Sequence, residues 1–556
     1  MLRLAPPATL LIFLAPIVAG LLGTALPAFG WFPALGGHEF GFAVFARLFA
    51  QPGLGTSVAL TLFTGFLATA LSLTLALAFC AAAYGTRGFA TAQRFLAPLL
   101  ATPHAALAIG FAFLVAPSGW IARLISPELS GWTRPPDIAT IQDPLGLAFV
   151  AGLMLKETPY LLLCLVAAIG QADLARSLAT ARMLGYGKFT AWAKIAIPRL
   201  YPQIRLPVYA VLAFALSNVD VALILVPTNP PSLSVLIVRW ISDPHLDLFL
   251  PATAAGLLLF ALVVVSIGVW RLGEIAIAHL ARDWLTNGER GSRGAIRNST
   301  ARAMLALLFG LAIAALIALA VWSFTLSWRF PDALPDRWTN ANWLREAPSL
   351  AAPATTTLFV ALCATAIAIL LSVLCLENEI RTGKRATKAL ALLYAPLLIP
   401  QVSFLIGAQT LLVRLNLDGG FVALVWAHLL FVLPYVFLAL ADPWRALDPR
   451  YARIAACLGA SPLRVFFAVK IPLLLRPLMV AAAIGFAVSA ALYLPTLFAG
   501  SGRWTSLTTE AVTLASGGDR RVLGVYAFTQ AALPLIVYAM ALALPAFLYR
   551  NRKGMA

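Results

Sequence analysis

Apolar residues in this chain come in runs of about twenty separated by short polar breaks, and that rhythm leaves one class of fold open. The runs lie near 8–29, 57–83, 95–117, 145–170, 203–227, 250–270, 302–326, 355–376, 388–413, 420–441, 478–499 and 524–549. About 20 apolar residues cross a bilayer as a helix, and in lipid every backbone N–H and C=O must be satisfied within the element itself. The expectation is an all-α polytopic membrane protein with about twelve transmembrane helices. Composition agrees: 61% of residues are hydrophobic and 11% charged, against roughly 25% charged in soluble domains.

Lys and Arg number 40 against 22 Asp and Glu, a formal charge of +18. In a soluble chain that balance would suggest a nucleic-acid partner. Here most of the cations fall in alternate loops, the pattern of cytoplasmic loops, and contact with anionic membrane lipid accounts for more of the excess. No nucleic-acid partner is needed. Both termini are thereby expected in the cytoplasm, in a multi-pass protein of a bacterial inner membrane. Arg3 precedes an apolar run longer than the ~7–15 residues of a cleaved signal peptide, so this run reads as an uncleaved first span. The five cysteines show no CxxC spacing, and His104 and His428 have no second ligand suitably spaced. Neither a disulfide framework nor a metal site is expected, and both histidines read as packed or hydrogen-bonded in the bundle.

The chain also resembles itself. Thr61-Leu62-Phe63 recurs as Thr357-Leu358-Phe359, and Ala97-Pro98-Leu99-Leu100 with Pro103 and Gly110 recurs as Ala395-Pro396-Leu397-Leu398 with Pro400 and Gly407. Pro159-Tyr160 returns as Pro434-Tyr435, and Ile197-Pro198 as Ile471-Pro472. The expected organisation is two parallel six-helix repeats, 1–285 and 286–556, related by an axis along the membrane normal with a path between them. A polar stretch from about 271 to 302, including Asn287-Gly288-Glu289-Arg290-Gly291-Ser292-Arg293-Gly294, reads as a flexible cytoplasmic connector.

Each repeat carries one distinctive cytoplasmic segment, 173–198 and 448–472. Each reads as a short amphipathic helix, a glycine break, a second short helix and a proline before the next span. Gly185 and Gly459 can adopt positive φ and so turn a corner between two helices, while Pro198 and Pro472 limit the second helix. Ala179, Leu184 and Phe189 supply small and apolar surface; Arg182, Lys188 and Lys194 supply charge. An L-shaped element of this kind, present twice, suits a groove on a cytoplasmic partner better than a flat position on the inner leaflet.

The spacing Ala181, Gly185, Ile195, Ile197, Pro198, repeated as Ala455, Gly459, Val469, Ile471, Pro472, resembles the coupling loop of the permease subunits of binding-protein-dependent ABC importers. Two fused halves further resemble the thiamine and ferric-iron type permeases of that family, in which one chain supplies both halves of the pore. The resemblance implies that each loop rests in a cleft of one copy of a cytoplasmic ABC ATPase, and that a periplasmic solute-binding protein delivers the cargo. It also implies that ATP and Mg are held by the partner ATPase, with no cofactor on this chain. The acidic residue that usually opens the loop is replaced by Ala179 and by Arg453. The chain has no G-x-x-x-x-G-K-[ST] phosphate loop: Gly187-Lys188 has Arg182 five positions before the glycine, and Gly383-Lys384 has Asn378 there.

Ionisable residues at membrane depth usually face a cavity or a partner. Lys156, Glu157 and Asp220, with Ser217 and Asn218 beside the last, are therefore candidates for a translocation path, the alternative being a structural pair such as Lys156 with Glu157 or with Asp220. Prolines 98, 103, 159, 396, 400, 434 and 495 offer kinks or hinges within the spans. By analogy with the family, Pro231 to Asp247 and Gly500 to Arg521 would flank the mouth where a binding protein docks. An ion-gradient-driven secondary transporter would be expected to carry more paired intramembrane carboxylates, and a membrane transferase would cluster Asp, Glu or His at one interface. An ATP-driven importer permease, with no enzymatic chemistry of its own, is the function expected. Thiamine-like, ferric, polyamine and sulfate-like cargoes all remain open.

Overall fold

The computed structural model describes residues 2–291, 295–383, 393 and 395–550. Among these, ten helices are long and apolar enough to cross a bilayer. Pro462–Leu473 with Leu475–Ala491 makes an eleventh if the two, which meet at 74°, count as one span. Twelve were expected, and the difference lies at 388–413. Residues 388–392 and 394 of that stretch fall outside the described residues. Pro400, in extended conformation, separates Ala395–Leu398 from Gln401–Arg414. The latter has 14 residues and so rises only about 21 Å, short of the ~30 Å hydrocarbon core.

Breaks of the same kind interrupt other expected spans. The stretch 95–117 divides at Thr102-Pro103 into Arg87–Ala101 and His104–Val115. The stretch 203–227 ends its first helix at Ser217 and resumes as Asp220–Leu225. Likewise 478–499 ends a helix at Ala491 and resumes as Leu494–Gly500. Proline explains the first break, since it has no N–H and holds the preceding residue extended.

Several backbone details occur twice along the chain. A π-helical turn covers Trp192–Ala196 and another covers Phe466–Lys470. The hydroxyl of Thr61 accepts the Leu233 N–H at 2.9 Å, and that of Thr357 accepts the Leu507 N–H at 2.9 Å. A two-stranded ribbon follows the first helix, Trp31–Phe32 with Gly37–His38, and another, Thr325–Ser327 with Arg337–Trp338, follows Ser299–Ser323.

Two close helix crossings tie early and late parts of the chain together, and both depend on glycine. Ala5–Ala28 crosses Gln401–Arg414 so tightly that a β-carbon on Gly407 would lie 2.0 Å from the Gly20 carbonyl oxygen. Thr24 secures the crossing by accepting the Gly407 N–H at 3.0 Å. The counterpart is His104–Val115 against Ser299–Ser323, where a β-carbon on Gly110 would lie 2.4 Å from the Ala315 oxygen. Small residues permit such approach where apolar side chains gain nothing by leaving lipid. Outside the bundle, Leu11, Leu22, Phe63, Val265, Leu307, Phe359 and Leu370 stand exposed, the surface that lipid would cover.

Candidate functional site

The two glycine-cornered segments share one backbone construction. In the first, helix Leu174–Met183 ends at Gly185, whose φ is +86°. There the Gly185 N–H donates to Arg182 and the Tyr186 N–H to Ala181, both at 3.0 Å. In the second, helix Pro449–Cys457 ends at Gly459, φ +82°, with Gly459 donating to Ala456 and Ala460 to Ala455, again both at 3.0 Å. This is a Schellman cap, which satisfies the last carbonyls of a helix and requires a left-handed residue. A short helix, a π turn and a proline follow in each copy. Ile195 and Val469 lie in the π turns, Ile197 and Ile471 open the next helices, and Pro198 and Pro472 occupy their first turns.

The two segments differ in what they expose. The helix of the first buries Leu174, Leu178 and Ala181, so Ala181 faces inward; Met183 and Leu184 stand out at 88% and 57% exposure, Ala179 is also exposed, and Phe189 is half-buried. The helix of the second buries nothing, and Ile454, Leu458 and Leu463 are all exposed. Arg182, Arg450, Arg453 and Arg464 surround these apolar residues with positive charge. Lys188 is turned inward and donates to the Ala82 carbonyl at 2.9 Å.

The described part of the connector is largely exposed, as expected, but it is partly helical and makes specific contacts. Residues 271–280 continue the preceding helix, and Arg282–Thr286 forms another short one. The chain then docks on the first segment: Gly187 donates to the Arg290 carbonyl at 2.8 Å, and Lys194 donates to Asn287 at 2.9 Å and lies 4.8 Å from the Trp284 ring. No local pattern signalled these contacts, because they are made by main chain, an amide side chain and a cation on an aromatic face. Ser292, Arg293 and Gly294 lie outside the described residues, as does Lys384 of the Gly383-Lys384 pair.

A buried ion pair beneath the second segment was also missed. Lys470, in the π turn, contacts Glu377 at 2.7 Å, and Arg381 reaches the same carboxylate at 3.0 Å. Each residue is unremarkable alone, and their separation along the chain gives no local pattern.

Within the bundle, Lys156 and Glu157 are buried on helix Leu147–Gln171. Lys156 donates to the buried Thr102 carbonyl, which the proline break leaves outside either helix, and Glu157 meets His104 at 3.3 Å. Asp220 accepts from the Asn218 side-chain N–H at 2.7 Å, while Asn218 Oδ1 accepts from the Val221 and Ala222 N–H groups at the start of Asp220–Leu225. Ser217 turns back on Ala213. Lys156 lies within electrostatic range of both Glu157 and Asp220, but among the described residues it forms a direct ion pair with neither.

The histidines are bonded as expected: His104 to Glu157, and His428 to Ser489 at 2.8 Å and Thr496 at 3.0 Å. Three tyrosines join the polar cluster without having been anticipated in that role. Tyr160 and Tyr435 lie within electrostatic range of each other and of Glu157, and Tyr493 of Asp220. All three, and Asp220, remain partly accessible among buried neighbours. Only the recurrence of Pro-Tyr hinted at this, and it marked a repeat without indicating a lining.

In the loops, local pairing sets the ionisation. Arg521 bonded to Asp519 at 3.0 Å holds that carboxyl below its ordinary range, and the His245 N–H and ring do the same to Asp243.

With this geometry in view, comparison with known proteins gives a consistent answer. The inner membrane ABC transporter permease protein YnjC of Escherichia coli (strain K12) is 32% identical over 497 residues, covering 89% of this chain and 88% of its own. The putrescine transport system permease protein PotI of the same strain is 29% identical over 142 residues, 24% of this chain and half of PotI. PotI of E. coli O6:H1 matches to the same extent. No family model matches the chain.

Proposed function

Because the chain belongs to the permease proteins of ABC transporters, we propose that it supplies both halves, 1–285 and 286–556, of the pore of an ATP-driven importer with both termini in the cytoplasm. A small polar solute, delivered by a periplasmic binding protein, passes between the halves and is released inside. ATP and Mg bind a separate ATPase, present in two copies, each gripping one glycine-cornered segment. The observation that carries this reading is the duplicated Schellman corner at Gly185 and Gly459 with an identical π turn behind each. Such a corner turns the chain sharply between two short helices, and the π turn and proline connect it to the next span.

Ala181, Gly185, Ile195, Ile197 and Pro198, with Ala455, Gly459, Val469, Ile471 and Pro472, form the two handles. In this arrangement the residues divide their roles, Ala181 and the residues of the π turns setting the shape while Leu184, Ile454 and Leu458 make the contact. Lys156, Glu157, Asn218 and Asp220 border the path, with Ser217 maintaining the helix end beside it. A polar solute crossing an apolar bundle needs such groups, and the partial accessibility of Asp220 beside Tyr160, Tyr435 and Tyr493 supports that assignment.

Copurification tests the reading. The full chain, co-expressed with the ABC ATPase and binding protein of its own gene neighbourhood, retains the ATPase, and transport in vesicles requires ATP. Gly185→Pro combined with Gly459→Pro abolishes both retention and transport. Unaided transport by the chain, or intact transport in the double variant, would contradict it.

A further inference from the structure

At the end of the bundle opposite the glycine-cornered segments, an open cavity of about 460 Å³ is lined by Ser118, Arg123, Trp322, Asp519, Arg520 and Arg521. Three guanidinium groups share it with one carboxylate, and Asp519 is already bonded to Arg521 at 3.0 Å. Arg123 and Arg520 form no ion pair among the described residues. They are close enough to repel, and both donate to the same Ser118 carbonyl oxygen at 3.1 Å. The exposed carboxylates of Asp332 and Asp336 act on Arg123 from a distance without pairing with it.

The arginines are fixed in place. Arg123 also donates to the Arg329 carbonyl at 2.6 Å and stacks 4.8 Å from Trp328. Arg520 donates to the Ser118 hydroxyl at 2.9 Å and lies 5.4 Å from the Trp322 ring. Trp322, 8% exposed, has an indole N–H with no hydrogen-bond partner. A buried donor left unpaired is costly, and so is a like-charged pair with only a carbonyl between its members. One ligand relieves both costs at once.

We propose that this cavity is a binding site for an oxyanion, a carboxylate or phosphate group, held by Arg520 and Arg123 with the Trp322 N–H as a further donor. Charge-assisted bonds from guanidinium to oxyanion are the strongest available to such a lining. Ser118 and Arg123 lie early in the chain and Trp322 and Arg520 late, so the bound group bridges the two parts. Its source is either a free anion or a carboxylate on a docked protein.

Calorimetric titration of the full chain in nanodiscs tests this with two probes, inorganic phosphate and a tri-glutamate peptide. The expected result is saturable one-to-one binding of at least one probe. Arg520→Gln weakens that binding by about tenfold or more, as loss of a charged bond requires, and Trp322→Phe weakens it to a smaller degree. Arg345→Gln, on an exposed side chain that does not line the cavity, leaves it unchanged. Binding of phosphate alone identifies a free anion as the source, and binding of the peptide alone a protein carboxylate. Failure of both probes to bind the wild-type chain, or wild-type binding in both Arg520→Gln and Trp322→Phe, would overturn the proposal.

Discussion

Gly185 and Gly459 are required for a reason that stability measurements can isolate. A β-carbon on Gly459 would meet nothing within 4 Å, so Gly459→Ala carries only the left-handed backbone penalty, about 1–2 kcal/mol, seen as a lower unfolding midpoint. Gly185→Ala adds ordinary contact with Arg290 at 3.5 Å and should cost a similar amount. Glu377 gives a sharper contrast. Its carboxylate is shared by Lys470 and Arg381, so Glu377→Gln leaves a buried ammonium uncompensated, at about 3–5 kcal/mol. Lys470→Met leaves the half-exposed Arg381 to satisfy the carboxylate and should cost clearly less. Equal losses in denaturant titrations of the two variants would show that the pair is not the determinant.

At the scale of elements, the bundle depends on two glycine crossings. Gly407→Ala must push Ala5–Ala28 off Gln401–Arg414, and Gly110→Ala must separate His104–Val115 from Ser299–Ser323; each should lower stability by about 1–3 kcal/mol or more. Gly268→Ala, with nothing within 4 Å of the added carbon, should be neutral or stabilising by up to about 1 kcal/mol. Thermal melts of the three variants in one detergent check the ranking.

The same elements show what could be read in advance. The corners at Gly185 and Gly459 were legible because glycine and proline impose backbone geometry wherever they stand. The long spans were legible because lipid demands length and apolarity. The π turns at 192–196 and 466–470 have no such signature, since one extra residue in a turn changes a hydrogen-bond register and not a composition. The breaks at Asn218 and Tyr493 had only small local marks, the Asn218 side chain that bonds the next helix and Pro495 in the first turn after Tyr493, set inside otherwise apolar runs. The ion pair of Lys470 with Glu377 and the docking of Arg290 on Gly187 join residues that only the tertiary fold brings together.

The whole molecule divides its tasks along its length. Exposed apolar handles rimmed by arginine stand at one end, a partly accessible polar cluster lies within the bundle, and an arginine-lined cavity opens at the other end. The first handle is partly covered by the connector, whereas among the described residues nothing comparable covers the second, so a partner binding both meets unequal surfaces. Cys457 lies on the second handle and is exposed, whereas Cys80 is buried and Cys164, Cys363 and Cys375 are partly buried. Its native thiol therefore reports directly on whether that handle is gripped. In inside-out vesicles holding the intact transporter, a membrane-impermeant maleimide should modify Cys457 readily when the ATPase has been stripped away and much more slowly once it is restored. An unchanged rate on restoring the ATPase, or a thiol reached only by lipid-soluble reagents, would contradict the handle and leave the segment lying in the membrane surface.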